Sequence, residues 1–241
     1  MGLSMGLYSV LMLLPQEAAD PGLINVLVEK FNEGNEGGFM WPILVTLILG
    51  LAIAFERIIT LNRADINTRQ FIVSVKDALQ GGGIPAAEEV CANTRGPVAS
   101  VFQAGLLRHD EGIEAVEKAV ISYGSIEMSF LERGLVWLSL FISLAPMFGF
   151  LGTVWGMVEA FDAIEIAGDI SPSLVAGGIK VALLTTVFGL ITAIILQFFY
   201  NYATSKVDRI VVDMEESALE LIDSLVLLEA GRPVAEKSPG R

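Results

Sequence analysis

The chain has 241 residues, 53% of them apolar and 18% charged, with a mean hydropathy of +0.62 and a net charge of −13. That charge excludes the basic face that nucleic acid selects and the polybasic docking that anionic lipid attracts, so no nucleic-acid partner is expected. A single cysteine, Cys91, and a single histidine, His109, exclude an internal disulfide and a Cys/His metal site, and nothing points to a cofactor or an enzyme.

Residues 1–38 read as an extracytoplasmic N-terminal segment. Within it, residues 2–14 are apolar and precede Pro15, like the apolar part of a signal peptide without its basic flank. That stretch is too short to cross a bilayer and reads as signal-like or interfacial. Residues 39–61 form the first run long enough to span, since about 20 apolar residues are needed. The run closes on Glu56 and Arg57, which belong at an interface.

Residues 62–133 have helical character. Gly81, Gly82 and Gly83 break it, and Pro85 suits the first turn of a new helix. Arg95-Gly96-Pro97 marks a second turn and Asp110-Glu111-Gly112 a third. From Ile113 a periodic run leads into the second span, residues 134–158, which predicts one continuous helix entering the membrane. No period-two alternation and no Asn-Gly hairpin signal interrupts this pattern.

The second span carries no charge. Its small residues Ala145, Gly149, Gly152, Gly156 and Ala160 recur three or four apart, on one helix face. In lipid such a face lets helices approach closely, because packing holds them together there. Thr153 brings a hydroxyl beside this stripe. It either bonds back to the carbonyl of Gly149, a frequent use of buried threonine, or belongs to a polar path. Pro146 is expected to kink the helix and free a carbonyl.

Residues 159–173 read as an extracytoplasmic loop, with Glu159, Asp162, Glu165 and Asp169 and no basic residue. Ser171 suits a helix cap and Pro172 the first helical position. The third span, residues 174–203, repeats the small stripe with Ala182, Thr185, Thr186, Gly189 and Ala193. Lys180 reads as snorkelling to the outer interface, or as contacting lipid or a partner. Neither span holds Asp, Glu or His within it, so protons crossing here need a carboxylate from another polypeptide.

Beyond the third span, residues 204–230 continue the helix. Val207, Val211, Met214, Ala218, Leu221, Leu225 and Leu228 alternate by four and three, a heptad seam. It packs on the chain's own helices or on neighbouring subunits. The whole helix would run about 80 Å at 1.5 Å per residue. Residues 231–241 read as a disordered tail.

Lys and Arg near the span ends set the orientation. They cluster in residues 62–133 and after the third span, which puts those parts and the C-terminus in the cytoplasm and the N-terminus and the second–third loop outside. The expected fold class is therefore an all-α integral membrane protein, with three transmembrane helices and long cytoplasmic helical extensions. Small faces on two spans exceed what one three-helix chain can bury, so a homo-oligomeric ring around a polar path is expected.

APMFGFLGTVWGM, followed by GGIKVALLTTVFGLITAIILQFFYNY, resembles the MotA/TolQ/ExbB proton-channel family, closest to its ExbB and TolQ branch. TRGPVASVF and the three-span layout resemble that branch too. The resemblance implies a homopentamer in the bacterial inner membrane. It also implies an ExbD- or TolR-like partner whose single span carries an essential aspartate, and a TonB-like protein that receives the work. Thr153 and Thr186 match the family's pore threonines, with Thr185 beside them, and related proteins often carry a glutamate where Val181 stands. The implied function is coupling of proton motive force to mechanical work for outer-membrane transport. A TolQ-like role in Tol–Pal envelope integrity, another motor of the family, or a non-conducting scaffold are the alternatives.

Overall fold

The computed structural model describes residues 23–35, 38–168 and 172–230. The signal-like stretch, the Ser171 cap and the tail lie outside these residues. Among the described residues every regular element is helical. The order is α1 (Leu23–Gly34), α2 (Met40–Ala64), α3 (Thr68–Asn93), α4 (Pro97–Leu106), a 3-10 turn (His109–Glu111), α5 (Ile113–Glu132), α6 (Leu135–Ala167) and α7 (Pro172–Glu229).

Three stretches, within Met40–Asn93, Ile113–Ala167 and Val175–Glu229, are long and apolar enough to cross a membrane. Only 22%, 22% and 33% of their most apolar windows are buried inside the protein. In water that much bare apolar surface could not persist, whereas in lipid it faces a matching solvent. The chain is a membrane protein.

Two helix boundaries differ from the sequence reading. The run from Ile113 does not continue into the second span as one helix. It stops at Glu132, Arg133 turns extended (ψ 127°), and Gly134 takes φ 93° before α6 begins. A side chain at Gly134 would be strained by that positive φ and would have to displace the Arg57 side chain, whose Nε would lie 2.9 Å from an added Cβ. At its other end α6 runs on to Ala167, well into the expected loop. Between Gly156 and Gly168 the sequence has neither glycine nor proline to stop it. The glycine break inside α3 falls at Gly83 (φ 70°, ψ −160°), just ahead of Pro85. α1 lies within the segment for which no helix was anticipated.

The chain divides into two compact units. One comprises Val45–Ala145 and the described residues from Ile191 onward. Its largest core joins Phe71, Val75 and Leu79 of α3, Val101, Phe102 and Leu106 of α4, and Val116 and Val120 of α5 to the seam of α7. Met214, Ala218, Leu221 and Leu225 are buried there, with Leu228 against the edge. Val207 sits in a second cluster with Leu61, Leu131, Leu135, Ala203 and Ile210, and Val211 lies beside it. The heptad seam thus packs on the chain's own helices. Asp65, the residue after α2, pairs with both Lys206 and Arg209, and Lys76 of α3 with Glu220, all three partners lying on α7. A third cluster, Ala54, Leu138 and Leu196, joins α2, α6 and α7. Cys91 is 2% exposed in the largest core. Burial, with Glu88 nearby, pushes its thiol up from 9.0 to about 12.

The other unit comprises the described residues up to Leu44 together with Pro146–Leu190. It contains the stretches of α6 and α7 that carry most of the small residues and all three threonines singled out above.

Candidate functional site

Within this unit α6 and α7 meet along a seam built of glycine, alanine and threonine. A Cβ built on Gly149 would lie 3.0 Å from the Thr185 carbonyl oxygen and 3.1 Å from Cα of Thr186. On Gly152 it would lie 2.6 Å from Thr185 Oγ1, and on Gly156 3.1 Å from the Gly178 carbonyl oxygen and 3.2 Å from Cβ of Ala182. One on Gly178 would come 2.6 Å from Cβ of Ala160. Gly189 approaches Gly149, with 3.5 Å between its Cα and that added Cβ. Backbones this close gain dispersion along their length, and the glycines and alanines between them have no rotamers to freeze.

Ala145, Gly149, Gly152, Gly156 and Ala160 are all buried within the single chain, as are Ala182, Thr185 and Gly189. Ala193 is only half-buried, whereas Thr192, one residue earlier, is 3% exposed. The expectation that these small faces would be left over for neighbouring subunits does not hold here, because they face each other. What remains outward is large and apolar: Met147, Phe150 and Phe161 on α6, Leu183 and Val187 on α7.

Three hydroxyls converge in the seam. Thr153 Oγ1 is 3.1 Å from the Gly149 carbonyl oxygen and 3.1 Å from that of Ala182. Thr185 Oγ1 lies 2.8 Å from the Ala182 oxygen and 3.3 Å from the Gly149 oxygen. Thr186 Oγ1 lies 3.2 Å from the Gly149 oxygen, and its hydroxyl also meets that of Thr153. Thr153 therefore combines the back-bond within its own helix with a bond across to α7. Thr185 is 1% exposed, while Thr153 and Thr186 are half-buried at the edge of the seam. Adjacent residues on a helix lie about 100° apart, which separates a sealed hydroxyl from one that reaches the surface. The arrangement can offer hydrogen bonds to a polar group moving along that edge.

Lys180 has a partner that local sequence patterns could not disclose. Its Nζ is 2.9 Å from Oε1 of Glu33 on α1, and Lys30 Nζ is 2.8 Å from the other carboxylate oxygen. Hydrogen bonds from Lys180 and then Lys30 hold the Glu33 carboxyl below its ordinary 4.5, and Glu33 in turn raises Lys30. Apolar contacts seat α1 at the same place. The Phe31 ring meets Phe188 edge-on at 6.1 Å and Trp41 at 6.0 Å. Gly34 leaves only 3.2 Å between an added Cβ and Cβ of Leu184. Gly178, whose place a Cβ could not fill, is a further contributor that the small-residue pattern did not mark. Among the described residues no group of three or more His, Cys, Asp or Glu is placed to hold a metal ion.

A family model described as the MotA/TolQ/ExbB proton channel family matches residues 93–216, just over half the chain. A protein of Methanothermobacter thermautotrophicus named as a biopolymer transport protein ExbB homolog is 34% identical over 76% of this chain. The match spans 64% of that relative's length. A Synechocystis protein named ExbB-like 1 is 32% identical over 74% of this chain and 71% of its own length. The fold is similar to the solved structure of C. jejuni MotAB, with a TM-score of 0.56 at 14% identity over 80% of this chain and 76% of that one.

Proposed function

The chain belongs to the MotA/TolQ/ExbB proton channel family, and from that premise we propose that it is an ExbB-like subunit of an inner-membrane proton channel. The observation that carries this reading is the half-exposed hydroxyl pair, Thr153 and Thr186, at the edge of a seam otherwise closed to solvent. Residues 134–158 and 174–203 contain one charged side chain, Lys180, and no carboxylate. A path along this edge therefore supplies hydrogen bonds but no proton-binding group.

The proton carrier is the intramembrane aspartate of an ExbD- or TolR-like single-span partner. Ionised, that carboxylate is held by hydroxyls and water; protonated, it loses its charge and passes the apolar wall. One charge crossing the membrane potential releases about 2.3 kcal/mol per 100 mV. A homopentamer with a central path, periplasmic N-termini and cytoplasmic C-termini converts that energy into movement of the partner. A TonB-like protein receives the work for outer-membrane transport.

Proton flux into liposomes, measured for the chain alone and with its single-span partner, tests the reading. Flux only with both proteins is expected. No flux in either preparation would leave a non-conducting scaffold. In cells, loss of outer-membrane uptake on deletion supports the ExbB-like role, and loss of envelope integrity would replace it with the TolQ-like one.

A further inference from the structure

Lys180 precedes Thr186 by six residues, which is about 9 Å of rise and about 120° of turn along one helix. An unpaired ammonium at that distance opposes an entering cation. With that rise as the least separation, the effect of one charge on another is at most roughly twofold in a water-like medium and roughly twentyfold at the effective dielectric of a protein. The chain carries the opposing charge itself, on Glu33, 2.9 Å from Lys180 Nζ.

Glu33 is held there by more than the ion pair. Phe31 against Phe188 and Gly34 against Leu184 dock the same turn of α1. Lys180, Leu184 and Phe188 follow one another four apart, so α1 covers a single stripe of α7. That stripe is not the one that meets α6, where Ala182 and Thr185 lie. Lys30 occupies the second oxygen of Glu33, and Glu29 acts on Lys30 in turn. The four charges, two positive and two negative, sum to zero.

We propose that Glu33 is a positioning residue of the ion path: it pins the ammonium of Lys180 against α1 and cancels its charge, so that cations reach Thr153 and Thr186 unopposed. This rests on the channel reading above. It predicts an asymmetry that a merely structural ion pair lacks. Losing Glu33 harms conduction because Lys180 remains; losing Lys180 does not.

The test uses Glu33→Gln, Lys180→Gln and the double variant, each in liposomes together with the single-span protein that co-purifies with the wild-type chain. Dye-reported proton flux under an imposed potential should fall roughly 2- to 20-fold in Glu33→Gln. It should stay at the wild-type level or above in Lys180→Gln, and return to wild type in the double variant. Equal losses in both single variants with no recovery in the double, or wild-type flux in Glu33→Gln, overturn the proposal. A second measurement reads the pair directly in the same liposomes. A membrane-impermeant amine reagent should modify Lys180 several-fold faster in Glu33→Gln, as followed by peptide mass spectrometry, because the amine is then no longer held against the Glu33 carboxylate. An unchanged rate overturns the proposal. Faster labelling in liposomes where even the wild type does not conduct would instead sink the channel reading.

Discussion

Gly152 of α6 and Thr185 of α7 are in backbone-to-side-chain contact: a Cβ on the glycine would stand 2.6 Å from the threonine Oγ1 and 2.8 Å from its Cβ. Neither atom is the far end of a flexible chain, so any side chain at 152 must push the helices apart.

Gly152→Ala is therefore expected to cost about 1–3 kcal/mol, the usual range for overpacking, and Gly152→Leu should abolish the folded protein. Thr185→Gly vacates the obstructing atoms and should recover part of the loss when combined with Gly152→Ala. Thermal unfolding of the purified chain in mild detergent measures all four proteins. A Gly152→Leu protein with wild-type melting would mean that the seam is not formed.

The hydroxyls separate structure from transport. Thr185→Val removes a sealed hydroxyl and should lower stability by about 1 kcal/mol, with flux per folded subunit little changed. Thr153→Val and Thr186→Val keep shape at the exposed edge. Their yields should match wild type while proton flux drops about tenfold or more, the worth of a hydrogen bond to a charged group. Equal flux in all three variants would remove the edge hydroxyls from the path.

On the heptad seam the contrast is between Leu221, 2% exposed, and Val212, 50% exposed. Leu221→Asp places a carboxylate in the largest core and should cost several kcal/mol, enough to lose most of the folded protein. Val212→Asp should stay within about 0.5 kcal/mol of wild type. Equal expression and equal protease resistance of the two would reverse the assigned register.

Cys91 links stability to alkaline pH. Its thiol ionises near 9.0 when exposed and at about 12 in the fold. Above pH 9 the unfolded chain thus holds fewer protons than the folded one, and stability falls as pH rises toward 12. Cys91→Ala, which lacks the group, should show a shallower decline over that window in detergent melts. Parallel declines would show that Cys91 does not contribute. Iodoacetamide at pH 8 should leave the native thiol largely unmodified and react on unfolding.

The three apolar helices were legible in the chain because a bilayer demands uninterrupted runs, and such runs leave few alternatives. The turns at Gly83, Pro97 and Gly112 were legible for a similar reason, since only glycine and proline serve there. The stop at Gly134 was not, because a glycine beside an apolar run is equally at home inside a membrane helix. What demands glycine there is the positive φ of the turn, which a sequence does not display. Periodicity marked the small stripe of α6 and that of α7 as surfaces of close approach. It could not say that they meet each other, since spacing fixes a face and not its partner. Small size alone also favoured Ala193, whereas the buried position is Thr192. Glu33 and Lys180 lie far apart in the sequence and share no pattern at all.

Each hydroxyl of Thr153, Thr185 and Thr186 has one hydrogen, yet each oxygen lies within reach of the carbonyls of both Gly149 and Ala182. A carbonyl oxygen has two lone pairs and a hydroxyl both gives and accepts, so several hydrogen-bond assignments satisfy the same heavy atoms. Passing from one to another requires only rotation about a C–O bond. The seam is thus stiff in its backbone and degenerate in its hydrogens. A group arriving at the Thr153–Thr186 edge can be met with a hydrogen or with a lone pair, and no close-packed atom has to give way as the choice changes.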